Sequence, residues 1–241
     1  FNFLAVSRDA GERAGAITEL VSKDGTSIIC NVEYNQLEPL LKATVNAKGD
    51  VPDPITEKSP YPANLNVFIV KNTTYNTVLH RTRGIVAEFV NPRYADNTKT
   101  TFSAPTRLET MMQDLAKVMG LGSRVGFANF EKRDVFSPVK NNLQAGAKNP
   151  QTGIYPDAMP TGEADFYKYF RKLLKMAGVE INVEGNQKQT QGVPYQAGAK
   201  VILCPSFVNR VKDVFSKIRG GSISDNSTLI VDGEDITIEN L

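Results

Sequence analysis

The sequence predicts a layered α/β or α+β domain, and three observations carry that prediction. Short apolar runs rich in β-branched residues recur at 1–6, 14–20, 27–34, 84–90, 125–130, 134–139 and 200–204. Segments with apolar residues at helical spacing are interspersed with them. The chain has 241 residues and is 41% apolar, enough to bury a core.

The first run, Phe1-Asn2-Phe3-Leu4-Ala5-Val6, reads as a core strand. The chain opens inside it without an initiator methionine, which predicts a fragment or a piece of a nicked chain. A sheet lacking its first strands leaves an apolar edge, so another segment of the polypeptide is expected against residues 1–6 or their neighbours.

Three helices are expected. Thr106-Arg107-Leu108-Glu109 after Pro105 has the form of a capping box, and Leu108, Met111, Met112, Leu115 and Met119 continue as one stripe. Phe166, Phe170, Leu173, Leu174 and Ala177 form a second stripe, stopped by Gly178. Ser206 caps a third, with Phe207, Val211, Val214, Phe215 and Ile218 inward and Gly220 after it. Residues 141–163 and 184–199 are rich in Gly, Pro, Asn and Gln and read as long surface loops. From Gly221 the texture becomes short alternating β, ending on Ile236-Thr237-Ile238-Glu239-Asn240-Leu241 with nothing to close it. A domain boundary is therefore placed near Gly220, giving 1–220 and 221–241. Asp232-Gly233 has hairpin-turn chemistry.

Composition narrows the function class. A formal net charge of +2 lacks the basic excess of a nucleic-acid surface. No apolar run approaches membrane-spanning length, and no secretory signal is present. Two cysteines, Cys30 and Cys204, are too few for a disulfide framework and fit a reducing, cytoplasmic setting.

Four segments could carry chemistry. In Ile28-Ile29-Cys30-Asn31-Val32-Glu33-Tyr34-Asn35 an apolar strand runs into a polar tip. Period two places Glu33 and Asn35 on one face, and a carboxylate beside an amide suits a polyol; the competing reading is a solvated turn after a strand. Tyr61-Pro62-Ala63-Asn64-Leu65-Asn66 places two asparagines at alternate positions, or is an Asn-rich turn. Val135-Phe136-Ser137-Pro138-Val139-Lys140 sets a lysine at a strand tip, where it can act as a point charge on phosphate or as an ordinary surface lysine. Gly120–Gly126 is glycine-rich but follows a helix rather than opening one, so it reads as a helix end and turn, not a phosphate loop. Glu109 belongs first to the capping box. Lys168, Arg171, Lys172 and Lys175 read as a solvated helix face. His80, the one histidine, has no partners at zinc-ligand spacing.

The run Cys30-Asn31-Val32-Glu33-Tyr34-Asn35-Gln36-Leu37-Glu38-Pro39-Leu40-Leu41 is similar to a stretch of the UDP-sugar pyrophosphorylases. Further segments resemble that family in the same order: Phe3–Val6 with Arg8, Ala87–Pro92, Thr98-Lys99-Thr100, Thr106–Asp114, Pro138–Asn142, and Ser222-Ile223-Ser224 with Ser227-Thr228-Leu229. The resemblance spans essentially the whole chain.

That resemblance implies the second, C-terminal half of a Rossmann-like nucleotide-diphospho-sugar transferase domain (1–220), followed by the start of a β-helix-like domain (221–241). It implies transfer of a uridylyl group from UTP to a sugar 1-phosphate, giving UDP-sugar and pyrophosphate, reversibly and with broad sugar specificity. By resemblance Glu33 accepts from sugar hydroxyls, Asn35 is its neighbour, Asn64 contacts the sugar with Asn66 as a weaker candidate, and Lys140 binds phosphate. Gly15 falls where relatives carry a Gly-Gly pair against the substrate; the second position here is Ala16. The uridine-binding loop, the uracil-reading residues and the magnesium ligands belong N-terminal to this chain. The expected partners are therefore UTP, a sugar 1-phosphate, Mg2+ and the missing N-terminal segment, in an enzyme monomeric when intact, and the chain alone is expected to be inactive. The rival readings are a UDP-N-acetylglucosamine or UDP-glucose-specific pyrophosphorylase, and a non-catalytic carbohydrate-binding domain.

Overall fold

The computed structural model describes every residue except Asn91, Arg93, Leu121 and Gly122. It is a mixed α/β structure whose chain divides into two compact units, Phe1–Glu131 and Lys132–Leu241.

In the first unit, strands β1 (Asn2–Val6), β2 (Ala16–Val21) and β3 (Ser27–Val32) lead into helix α1 (Tyr34–Thr44). They are followed by strand β4 (Ala63–Ile69), helix α2 (Asn72–Thr82), the short pair β5 (Glu88–Val90) and β6 (Leu108–Thr110), a 3-10 helix at Met112–Val118, and strand β7 (Gly126–Phe130). Five strands form a mixed sheet in the order β3-β2-β4-β1-β7. β2 and β3 pair antiparallel, as do β1 and β4, while β1 and β7 run parallel. The alternating faces are unequal: Phe3, Ala5 and Ile17 pack with Ala116 of the 3-10 helix, while Ala16, Cys30 and Val32 pack with Leu37 and Leu41 of α1.

Residues 1–6 are thus an interior strand whose neighbours on both sides, β4 and β7, come from this same chain; the edges are β3 and β7. The strand expected over 27–34 ends at Val32, because Glu33 already takes the N-cap place of α1. The run at 84–90 shortens to β5. The Asn-rich segment at 63–66 is strand rather than turn.

The helix expected over 106–119 does not form. Leu108–Thr110 pairs with Glu88–Val90 as β6, with Glu109 beside Arg107 at 3.6 Å rather than in a capping box. Met112–Val118 is 3-10, where Ala116 and Met119 are buried three residues apart, the repeat of that helix. Of the turn expected at Gly120–Gly126, Leu121 and Gly122 lie outside the described residues, as does Asn91 of the Ala87–Pro92 segment.

The second unit opens with a short helix α3 (Lys132–Val135), so the strand expected at 134–139 is absent; Asp134 pairs with Lys172 and Ser137 Oγ donates to Asp165 at 2.6 Å. These polar anchors hold the segment along the long helix instead of in a sheet. Helix α4 (Leu143–Lys148), a 3-10 turn at Asn149–Thr152 and helix α5 (Met159–Met176) follow. α5 ends where Gly178 adopts φ +88, as expected, and buries Leu173 and Leu174, while Phe166 of the expected stripe is exposed. Arg171 is buried, not on a solvated face: Nε donates to the Val183 carbonyl and Nη1 to that of Ala199, each at 3.0 Å.

Next come strands β8 (Glu180–Ile181), β9 (Asn186–Thr190), β10 (Val193–Ala197) and β11 (Lys200–Leu203), helix α6 (Val211–Lys217), and strands β12 (Ile218–Arg219), β13 (Ser222–Ile223), β14 (Thr228–Val231) and β15 (Ile238–Glu239). β9 and β10 form a hairpin within the expected loop 184–199, and helices occupy much of 141–163. Ser206 does not cap α6, which begins at Val211; it bonds Asp232. Asp232-Gly233 closes no hairpin, since β14 pairs with β11 and β15 with β12. All three late pairs are parallel: β13 on β8, β14 on β11 and β15 on β12. Strands after Gly220 thus lie beside strands from before it. Val179, Val201, Phe207, Val214, Ile218 and Val231 make the core.

Candidate functional site

Three strand ends meet at one rim of the sheet. Ala16 at the start of β2 pairs with Val32 at the end of β3 and with Ala63 at the start of β4. Register alone therefore brings Gly15, Glu33 and Asn64 together, although they are far apart in sequence.

A bulge completes the placement. β1 residues Phe3 and Ala5 face Phe68 and Asn64, so β4 carries extra residues between these pairs. Asn66 lies inside the bulge with φ +57, a conformation that asparagine tolerates better than most residues. Its backbone N–H donates to Asn64 Oδ1 at 3.0 Å, which aims the Asn64 side chain.

The side chains form one chain of hydrogen bonds. Asn64 Nδ2 donates to Asn66 Oδ1 and to Asn31 Oδ1, each at 3.1 Å. Asn31 Nδ2 donates to Glu33 Oε1 at 2.7 Å. Gly15 closes the group through its carbonyl, which accepts from the Asn64 N–H at 2.9 Å. A Cβ at Gly15 would lie 2.5 Å from Asn31 Oδ1 and 3.1 Å from Glu33 Oε1, so only glycine leaves room for these groups.

Glu33 and Asn35 do not share a strand face, because Asn35 sits in the first turn of α1. Both nevertheless line one hollow of about 320 Å³, with Tyr34, Gln36, Tyr94 and Lys99. That size falls in the range of small-molecule sites.

The structure brings Gly15, Glu33, Asn64 and Asn66 into one network and places Asn35 beside Glu33. The sequence did not single out Asn31, which is buried at the centre of that network. The available signal was its place two residues before Glu33, a polar side chain within an apolar strand.

Lys140 belongs to the second unit and is exposed. Its backbone N–H and that of Asn141 donate to the Asp157 carbonyl at 2.9 and 3.0 Å. Asn141 Nδ2 donates to the Pro156 carbonyl at 2.8 Å, and the Asn142 side chain caps α4 by accepting from the Ala145 N–H. Arg133 pairs with Asp157 at 3.3 Å and lies over the Tyr155 ring, while Tyr155 donates to Asp165 at 3.0 Å. Burial and the nearby Asp165 carboxylate raise the Tyr155 hydroxyl well above the ordinary tyrosine value, so it is a fixed donor. The peptide carrying Lys140 is rigidly held while its amine is exposed.

Among the described residues no group of three or more His, Cys, Asp or Glu could hold a metal ion. Cys30 and Cys204 are unpaired. No described helix is long and apolar enough to cross a membrane.

The chain is similar to curated proteins along its whole length. The UDP-sugar pyrophosphorylases of Oryza sativa subsp. indica and subsp. japonica are each 39% identical over all 241 residues. The chain is homologous to a segment of the UDP-sugar pyrophosphorylases. The Arabidopsis thaliana UDP-sugar pyrophosphorylase is 38% identical, again across the whole chain. In each case the chain spans 39% of the relative's length. No family model matches the chain.

Proposed function

We propose that this chain is the sugar-binding part of a uridylyltransferase that forms UDP-sugar and pyrophosphate from UTP and a sugar 1-phosphate, reversibly and with broad sugar specificity. The observation that carries the proposal is the convergence of Gly15, Glu33 and Asn64 on one polar cluster beside a ligand-sized hollow, in a chain whose relatives are named UDP-sugar pyrophosphorylases. In this reading the chain is one part of a longer polypeptide, in keeping with its 39% share of those relatives.

An oxygen of the sugar 1-phosphate attacks the α-phosphorus of UTP. The bond from that phosphorus to the β-phosphate bridging oxygen breaks, and pyrophosphate leaves with the electron pair. Phosphoryl-type transfers ask little covalent chemistry of the protein, so position and charge carry the catalysis. Glu33, Asn35 and Asn64 orient the sugar by its hydroxyls, with Asn66 supporting Asn64, and the Lys140 amine neutralises charge on the reacting phosphates. Mg2+ would shield the nucleotide phosphates, and its ligands are assigned, by family resemblance, mainly to the remainder of the polypeptide.

Residues 1–220 are assigned to the second half of a Rossmann-like transferase domain, and the mixed five-stranded sheet of the first unit is compatible with an α/β domain. The β-helix-like reading of the last residues is supported by β13, β14 and β15 stacking in parallel, in chain order, on β8, β11 and β12. Two free cysteines fit the proposed cytoplasmic setting, and the intact enzyme is taken to be a monomer.

Activity of the 1–241 chain alone tests the division of labour. It should release no pyrophosphate from UTP and glucose 1-phosphate, whereas the full-length protein should. Turnover by the isolated chain would overturn the assignment of the nucleotide side elsewhere.

A further inference from the structure

We propose that Asn31 is a positioning residue that makes the sugar site read hydroxyls as donors; this rests on the sugar-site reading above. An ionised carboxylate only accepts hydrogen bonds. Asn31 must therefore turn Nδ2 toward Glu33, which it does at 2.7 Å. Its Oδ1 then faces the other way and accepts from Asn64 Nδ2 at 3.1 Å. The second proton of that amide goes to Asn66 Oδ1 at 3.1 Å. The charge on Glu33 thus fixes the Asn31 amide, and the Oδ1 it turns outward matches the orientation that the Asn66 N–H gives Asn64.

The consequence is a defined set of free groups. Both protons on Asn64 Nδ2 are used, so what Asn64 offers a ligand is the remaining lone pair of Oδ1. Glu33 has given Oε1 to Asn31 and keeps Oε2 as an acceptor. Both groups face a sugar as acceptors, and hydroxyl protons satisfy them. Asn31 itself is 4% exposed and acts through its neighbours rather than on the ligand. Gly15 admits it, since a Cβ there would meet its Oδ1 at 2.5 Å.

The test uses the full-length protein. Asn31→Asp puts two carboxylates where one donor bond stood. Asn31→Asp with Glu33→Gln rebuilds the bond with reversed polarity, because the amide introduced by Glu33→Gln can donate to the new carboxylate. Asn31→Ala is made in parallel in case the aspartate variant does not fold. Asn31→Asp or Asn31→Ala should raise the KM for glucose 1-phosphate roughly 10- to 100-fold, the loss carried by one hydrogen bond to a charged group. The KM for UTP should stay within about twofold, and the double variant should regain part of the loss. Equal rises in both KM values would mean a merely structural role and overturn the proposal. Unchanged KM values in the Asn31 variants would also overturn it, leaving the sugar site standing if Glu33→Gln and Asn64→Ala still raise the KM for glucose 1-phosphate. If those two variants are silent as well, the sugar-site reading falls and this proposal with it.

Discussion

The Asn31 carboxamide donates to Glu33 Oε1 at 2.7 Å, tying the end of β3 to the cap of α1. Glu33 makes no side-chain cap bond to α1, so its carboxylate is directed to the Asn31 amide rather than spent on the helix. That division of roles frames the expectations for the site.

Glu33→Gln and Asn64→Ala in the full-length protein should each raise the KM for the sugar 1-phosphate by tenfold or more, on the order of one charged hydrogen bond. UTP affinity measured by calorimetry should be nearly unchanged. Equal losses for both ligands would contradict the placement of Glu33 and Asn64 on the sugar side.

Gly15→Ala should behave like a site variant although it adds one methyl group. The added Cβ would lie 2.5 Å from Asn31 Oδ1, and that atom is not free to yield because Asn31 is buried between two partners. Overpacking of this kind costs about 1–3 kcal/mol. Thermal unfolding should register that loss and steady-state kinetics a higher KM for the sugar 1-phosphate; wild-type behaviour in both would show that the Asn31 amide moves aside freely.

Lys140→Ala should lower turnover roughly 100- to 1000-fold, the usual loss for one transition-state donor. Its amine is exposed while its backbone is held by Asp157, so truncation should scarcely change the melting temperature. A folded Lys140→Ala protein with normal kcat would remove the lysine from the mechanism.

Asp50 should impose an acid limit on the first unit. Burial alone would raise its carboxyl, but the Gly11 N–H, the Ser59 hydroxyl and the Arg8 guanidinium at 2.6 Å outweigh that and hold it below the ordinary aspartate value. A depressed folded-state value means the contribution is present above about pH 4, the unfolded value, and is lost as pH falls through the lower folded value. Both side chains are almost wholly buried, so removing one partner leaves an uncompensated charge at a cost of about 3–5 kcal/mol. Denaturant titration of Asp50→Asn should show that cost at pH 7 and a smaller one at pH 3. A cost that does not change with pH would show that the ion pair is not its source.

How legible the fold was depended on how many structures a given pattern allows. Phe3, Ala5 and Val6 are buried within a short apolar run that became β1, and α5 ends before Gly178, which takes the left-handed conformation that closes the turn. Leu108, Met111, Met112, Leu115 and Met119 fit a helical stripe equally well as a strand followed by a 3-10 turn, and pairing with Glu88–Val90 decided for the strand. Val135–Val139 is apolar enough for a strand, but Asp134 and Ser137 find partners on α5 that no local pattern displays. Glu33 and Asn64, proposed for the sugar site, were singled out through family resemblance. Asn31 was not, because its role depends on a strand register and on a bulge at Asn66.

The most direct test of the central claim is pyrophosphate release by the full-length protein from UTP with a panel of glucose, galactose, xylose, glucuronate and N-acetylglucosamine 1-phosphates. The account predicts release, with the matching UDP-sugar, for several of the first four. Release with none of them, or with N-acetylglucosamine 1-phosphate alone, would contradict it.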